Sequence, residues 1–186
     1  MRGLRALNVG FLAGVVLMAA ASLWAKKMPE MPENFGQTDW AMANYKEAVG
    51  YLKYLTDGKT RKKMLAVPED KRLETWENFW KKLDPVSATP ENEMRIQYFA
   101  RIRYANENFG TLLEPGWLTD RGEAYIRLGP PMIIDKYTMR SAGRDLEIWD
   151  YWTAHNLYLF FLDRTGVGDF YLLNPEDMLE EVFYTQ

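Results

Sequence analysis

The chain has 186 residues, 47% of them hydrophobic and 15% aromatic, with seven Trp. That is enough for one domain with a sizeable core, and it excludes a disordered or low-complexity polypeptide. Net charge is −3, and without residues 1–25 the count is 21 basic against 26 acidic side chains, which offers no basic face for nucleic acid; the absence of Cys excludes a disulfide framework, a thiolate zinc site, a Cys nucleophile and a lipidated cysteine.

Arg2 and Arg5 form a short positive n-region, followed by an apolar run from Val9 to Leu23. Ala25 then offers a small residue for signal-peptidase cleavage before Lys26-Lys27, so residues 1–25 read as a signal peptide. The alternative is an uncleaved anchor over residues 6–25, the roughly 20 residues needed to span a bilayer. The first reading delivers the rest of the chain to the periplasm or cell envelope. The second leaves it there on an inner-membrane anchor, its only membrane contact. Either fits a cysteine-free protein. Residues 26–37, with Pro29 and Pro32 and no periodicity, read as a flexible tether, and residues 38–186 as a single domain.

Thr38 or Asp39 caps a first helix with Ala41, Tyr45, Ala48, Leu52 and Leu55 on one face, and Gly58 is its expected left-handed stop. Lys59 to Lys63 then reads as a solvated basic connector. Pro68, with Glu69 and Asp70 behind it, opens a second helix whose stripe is Leu73, Trp76, Trp80 and Leu83, ended by Asp84-Pro85. Thr89-Pro90-Glu91 opens a third, with Met94, Tyr98, Ile102, Ala105 and Phe109 inward and Gly110 as its end. Arg95, Arg101 and Arg103 fall on what reads as its wet side.

The most distinctive stretch is Pro115-Gly116-Trp117-Leu118-Thr119-Asp120-Arg121-Gly122. Gly116 permits a sharp turn, and Trp117 is expected to anchor it from a largely buried position. Thr119 can cap a helix beginning at Asp120, whose carboxylate suits the positive end of the dipole. Residues 120–128 read as helix or strand, and Gly129-Pro130-Pro131 as a stop that favours the helix. Arg121 cannot face Asp120 on a helix, so it needs a separate acceptor, Glu147 or Asp163.

Four short strands follow: Met132 to Ile134, Leu146 to Trp152, Leu157 to Asp163 and Phe170 to Leu173. Thr165-Gly166-Val167-Gly168 joins the last two, and Asn174-Pro175-Glu176 opens a short terminal helix bearing Met178, Leu179, Val182 and Phe183. The expected fold class is α+β: N-terminal helices on a small antiparallel sheet of about four strands, with a short C-terminal helix.

The Gly116-Trp117-x-Thr119-Asp120 pattern resembles the GWxTD domain family. Other blocks carry the same likeness: Phe79 to Pro85, Thr89 to Glu93, Tyr104-Ala105-Asn106-Glu107, Tyr125-Ile126 with Gly129-Pro130-Pro131, Glu147-Ile148-Trp149 with Tyr151, and Asp163 to Gly166 with Gly168-Asp169. They span about residues 68–174. Met132 departs from the pattern, which more often has an acidic residue after the two prolines. The resemblance implies an exported bacterial protein and brings no reaction with it.

Nothing in the chain forms a catalytic signature. His155 is the only histidine, and beyond the leader the serines are Ser87 and Ser141, neither in a nucleophile elbow. Asp120, Glu123, Glu147, Asp150, Asp163 and Asp169 supply carboxylates for a two-acid hydrolysis if two of them converge in a cleft. Asp163 and Asp169 flank a Gly-rich turn but bring too few oxygens for Ca²⁺. The expectation is therefore an exported, non-catalytic module without a cofactor, binding an envelope protein through the turn after Trp117 and nearby aromatics. The alternative is a hydrolase-like enzyme using Asp/Glu and Arg near that turn. Gly116, Trp117, Thr119, Asp120, Arg121, Trp149, Tyr151 and Asp163 are the site residues to follow, and they are expected to be structural first.

Overall fold

A computed structural model describes residues 31–86, 88–139 and 144–173. The leader, Ser87, Ser141 and the expected C-terminal helix lie outside the described residues. The compact unit begins at Met31. Residues 31–37, read from the sequence as tether, are fastened to it: Phe35 is buried among Trp40, Tyr51 and Phe99, and Arg103 donates to the carbonyls of Met31 and Pro32 at 3.1 and 2.7 Å.

The expected first helix is broken in two. α1 (Thr38–Ala43) and α2 (Tyr45–Tyr51) meet at Asn44, and a 3₁₀ turn, Leu52–Tyr54, continues the second. Asn44 donates both its backbone N–H and its side-chain amide to the Trp40 carbonyl, a local competition that interrupts the helical ladder. The stripe survives the break, and Ala41, Tyr45, Ala48 and Leu52 are all buried.

Gly58 starts a helix instead of stopping one. The Asp57 carboxylate accepts the Thr60 N–H at 2.7 Å and caps α3 (Gly58–Leu65), so the basic run is helical with Met64 tucked under it. α4 (Glu69–Lys81) buries Trp76 and Trp80 completely but leaves Leu73 half exposed. Periodicity names the stripe, and the facing elements decide how much of it is covered.

α5 (Glu93–Phe109) begins three residues later than Thr89-Pro90 implied, because Asn92 is the cap, accepting from Arg95 N at 2.8 Å. Tyr98, Ile102, Ala105 and Phe109 are buried as the spacing requires. The three arginines of its outer side are bonded rather than idle. Arg95 reaches Thr38, Arg101 the Ile126 carbonyl, and Arg103 the N-terminal segment.

A 3₁₀ turn (Gly116–Leu118) leads into α6 (Asp120–Leu128), which settles residues 120–128 as helix. Gly129, at φ 88°, takes the left-handed region before the two prolines. The strands are β1 (Ile133–Met139), β2 (Arg144–Asp150), β3 (Tyr158–Asp163) and β4 (Phe170–Leu172), antiparallel in the order β1-β2-β3-β4. One turn of helix, α7 (Trp152–His155), sits between β2 and β3 and places the sole histidine on an exposed corner. β1 is longer than expected and forms an exposed edge.

Period-two alternation divides the sheet. Trp149 and Phe161 pack 4.8 Å apart between ring centroids, and Trp149 meets Phe109 of α5 at 5.3 Å, so this face joins the helical core. Leu146, Leu162 and Leu173 form a second buried cluster on the opposite face. Helices and sheet share one aromatic core, an α+β architecture with the helices mostly N-terminal.

Candidate functional site

The Gly116–Gly122 segment is the joint between the helical half and the sheet, and six of its seven residues have a physical job. Gly116 lies against the Ala105 carbonyl of α5 so closely that a Cβ there would collide with backbone. A Cβ on Gly122 would collide with the carbonyl of Gly116. Thr119 bridges the two glycines: its hydroxyl donates to Gly116 O at 2.8 Å and accepts from Gly122 N at 3.1 Å. That second bond is the expected N-cap of α6. Spacing of Gly, Thr and Gly at three-residue intervals thus gives a turn that α5 can grip at backbone distance.

Trp117 differs from expectation. It is partly buried, its ring leaning on Tyr51 at 4.7 Å and meeting Tyr54 edge-on at 6.2 Å, as a lid over the helical core. Its backbone is held harder than its ring: the N–H donates to Asn106 Oδ1 at 2.9 Å, and the carbonyl accepts from Tyr54 OH at 2.8 Å.

Asp120 and Arg121 diverge, as adjacent helical positions must. The Asp120 carboxylate accepts the N–H of Leu172 at 2.7 Å and so holds β4. Arg121 lies nearly enclosed, stacked 3.9 Å from the centre of the Phe170 ring. It reaches Glu147 Oε2 at 3.4 Å and donates to Gly168 O at 3.2 Å.

Of its two expected acceptors, Glu147 is the direct one. Asp163 acts one step away. Its carboxylate collects the N–H groups of Thr165, Gly166 and Gly168, at 3.1, 2.8 and 2.6 Å, and fixes the β3–β4 loop that presents the Gly168 carbonyl.

Glu147 is the centre of charge. It is buried, yet Oε1 meets Lys136 Nζ at 2.9 Å and Oε2 accepts Trp149 Nε1 at 3.0 Å besides facing Arg121. Burial pushes its pKa up, but the bonds from Lys136 and Trp149 and the charges of Arg121 and Lys136 outweigh burial and hold it below the ordinary carboxylate value. Asp163 is likewise depressed, burial being overcome by the backbone N–H groups of Gly168, Gly166 and Thr165. Burial lowers the pKa of Arg121, and Glu147 opposes that loss.

The remaining site residues belong to the same framework. Trp149 is fully buried, and the buried Tyr151 hydroxyl donates to Gly129 O at 2.8 Å, closing the sheet onto the end of α6. Asp169 accepts from Tyr171 OH at the surface; among the described residues no group of three or more His, Asp or Glu side chains is placed to hold a metal ion. Residues that sequence reasoning did not single out are Asn106, Lys136, Phe170 and Tyr54. Only Asn106 had a signal, its place in the Tyr104-Ala105-Asn106-Glu107 block.

Chemically the cluster is spent on itself. A two-carboxylate hydrolase needs one acid kept protonated by a raised pKa and a second ionised beside it. Here Glu147 and Asp163 are both pulled down, and their oxygens are occupied by protein donors. Among the described residues, three of the surface grooves, of about 560, 730 and 220 Å³, take no lining residue from Gly116–Gly122.

Among the described residues no helix is long and apolar enough to cross a membrane. No curated protein and no solved structure matches the chain. The model of the GWxTD domain matches residues 30–185, taking in the joint, its α5 cradle and the whole sheet. The chain belongs to the GWxTD domain family.

Proposed function

We propose that this chain is an exported domain of the cell envelope that binds a protein partner and catalyses nothing. The observation that carries the reading is a contrast: the side-chain oxygens of Thr119 and Asp120 are bonded within the fold, whereas large apolar side chains stand exposed together at one end of the sheet. Ile133, Asp150 and Tyr158 lie side by side across β1, β2 and β3. Trp152 stacks on Tyr158 at 5.9 Å, and Thr153 of the same turn touches the Met132 sulfur. Met132, Ile133, Trp152 and Tyr158 are 60%, 51%, 53% and 46% exposed. Folding gains little from such placement, and grouped exposed aromatics are the usual anchors of an interface. The partner surface therefore moves from the turn after Trp117 to this corner. Export rests on the charged, apolar leader and the lack of cysteine.

The test is capture of envelope proteins on the tagged domain, comparing wild type with Trp152→Ser/Tyr158→Ser. Loss of a specific partner by about 30-fold or more in affinity, at unchanged melting temperature, is the expected result. Undiminished binding would discard this corner. A hydrolytic activity that Glu147→Gln abolishes without loss of stability would favour the enzyme.

A further inference from the structure

A second surface leads beyond that reading. Between α5 and the joint, residues 111–114 form a tight turn: Thr111 N donates to Glu114 O at 2.9 Å, and Thr111 Oγ1 accepts from the N–H groups of Leu113 and Glu114 at 3.2 and 3.0 Å. This ordered turn displays Leu112 and Leu113 at 84% and 90% exposure. Two adjacent leucines held out by a dedicated hydrogen-bonded turn contribute nothing to the core. Their surroundings are acidic. Residues 104–120 contain Glu107, Glu114 and Asp120 and no Lys or Arg. Glu123, Glu114 and Asp120 together act on the nearby Tyr54 hydroxyl, opposed by Arg127, itself paired with Glu123 at 2.8 Å, and by Lys53, which donates to the hydroxyl at 3.3 Å.

The complement is on the same molecule. A groove of about 730 Å³ opens beside the start of α2, with Met42, Tyr45 and Leu65 supplying apolar surface and Lys46 and Arg72 cationic surface. Glu47, also on its rim, accepts from Tyr51 OH. The adjoining α3, which gives Leu65 to the groove, also carries Lys59, Lys62 and Lys63. Tyr54, beside the acidic turn, follows the C-terminal end of α2, whereas the groove lies at its N-terminal end.

We propose that copies of this chain join head to tail, the Leu112-Leu113 turn of one seated in the Met42–Tyr45–Leu65 groove of the next. Apolar tip meets apolar groove, and acidic surroundings meet basic rim. Because tip and groove are different patches, the contact is heterologous, and repetition closes a ring or extends a filament. Salt weakens the assembly by screening the rim charges.

Sedimentation equilibrium of the full chain in mild detergent tests this. The expected wild type shows concentration-dependent assembly, weakened by salt. Leu112→Ser/Leu113→Ser raises the dissociation constant by about a hundredfold with an unchanged melting temperature, since neither side chain is packed. Glu114→Lys and Lys46→Glu each weaken assembly, and the chain carrying both recovers it in part. Trp152→Ser/Tyr158→Ser leaves assembly intact, so failure here does not decide the corner proposed above. A monomer at all concentrations, an assembly indifferent to the leucine and charge variants, or a leucine-dependent complex with a different protein and no self-association overturns the proposal.

Discussion

Gly116 and Thr119 look equally essential in a five-letter pattern, but their energetics differ. An added methyl at Gly116 has backbone on the far side, so α5 and the joint must separate; overpacking of this kind costs about 1–3 kcal/mol and sometimes more. Thr119→Ala removes a cap and one further bond, about 0.5–2 kcal/mol. Urea unfolding should therefore rank Gly116→Ala as the more damaging, with Thr119→Ser near wild type because the hydroxyl is kept. Trp117→Ala should cost about 3 kcal/mol, the low end for a large aromatic, since the ring is only partly covered. The same change at Trp149, which loses a fully buried ring and one of the two donors to Glu147 Oε2, should cost more. A reversed order of the two tryptophans would remove the lid interpretation.

The link between α6 and the sheet is electrostatic, and it carries its own signature. Arg121 touches Glu147 directly but meets Asp163 only through the Gly168 carbonyl, so Arg121→Lys and Glu147→Gln should be strongly non-additive. The pair Arg121→Lys and Asp163→Asn should couple more weakly. Chemical denaturation of the two cycles measures the difference, and equal coupling would mean the loop is not the intermediary. Both acids have pKa values below their ordinary 4.5 and 3.8, so the folded state binds fewer protons than the unfolded one. Their stabilisation is fully present above about pH 5 and is lost as pH falls through those ordinary values towards the lowered ones. Melting temperature should fall over that acid window, and more shallowly in Glu147→Gln and Asp163→Asn.

Across the whole molecule, Phe109 of α5, Trp149 of β2 and Phe161 of β3 belong to the same core as Trp40, Trp76 and Trp80 of the helical half. A domain so joined should unfold in one transition, with calorimetric and van't Hoff enthalpies in agreement. Two resolved transitions would show that the joint transmits less than its bonding implies. The proposed export makes a separate expectation: N-terminal sequencing of the protein from its native host should begin near Lys26. Intact residues 1–25 on a membrane-bound species would establish the anchor instead.

Sequence by itself determined the fold class, the order of the four strands and the family, because those are written in local periodicity, in Pro and Gly punctuation and in blocks of fixed spacing. The α5 stripe from Tyr98 to Phe109, the Thr119 cap and the four strands were legible in this way. Local chemistry also misled where two outcomes share one signal: Asp57-Gly58 suits a helix end or a helix start, and Asn44 breaks a stripe that continues past it. Tertiary structure alone decided that Leu73 stays exposed while Trp76 is covered, that Trp117 is a lid, and that Arg121 reaches Glu147 directly and Asp163 only through a loop. These are facts about which distant segment arrives opposite a side chain. Propensity and periodicity act within one element, whereas burial, pKa and ion pairing are set by neighbours from another.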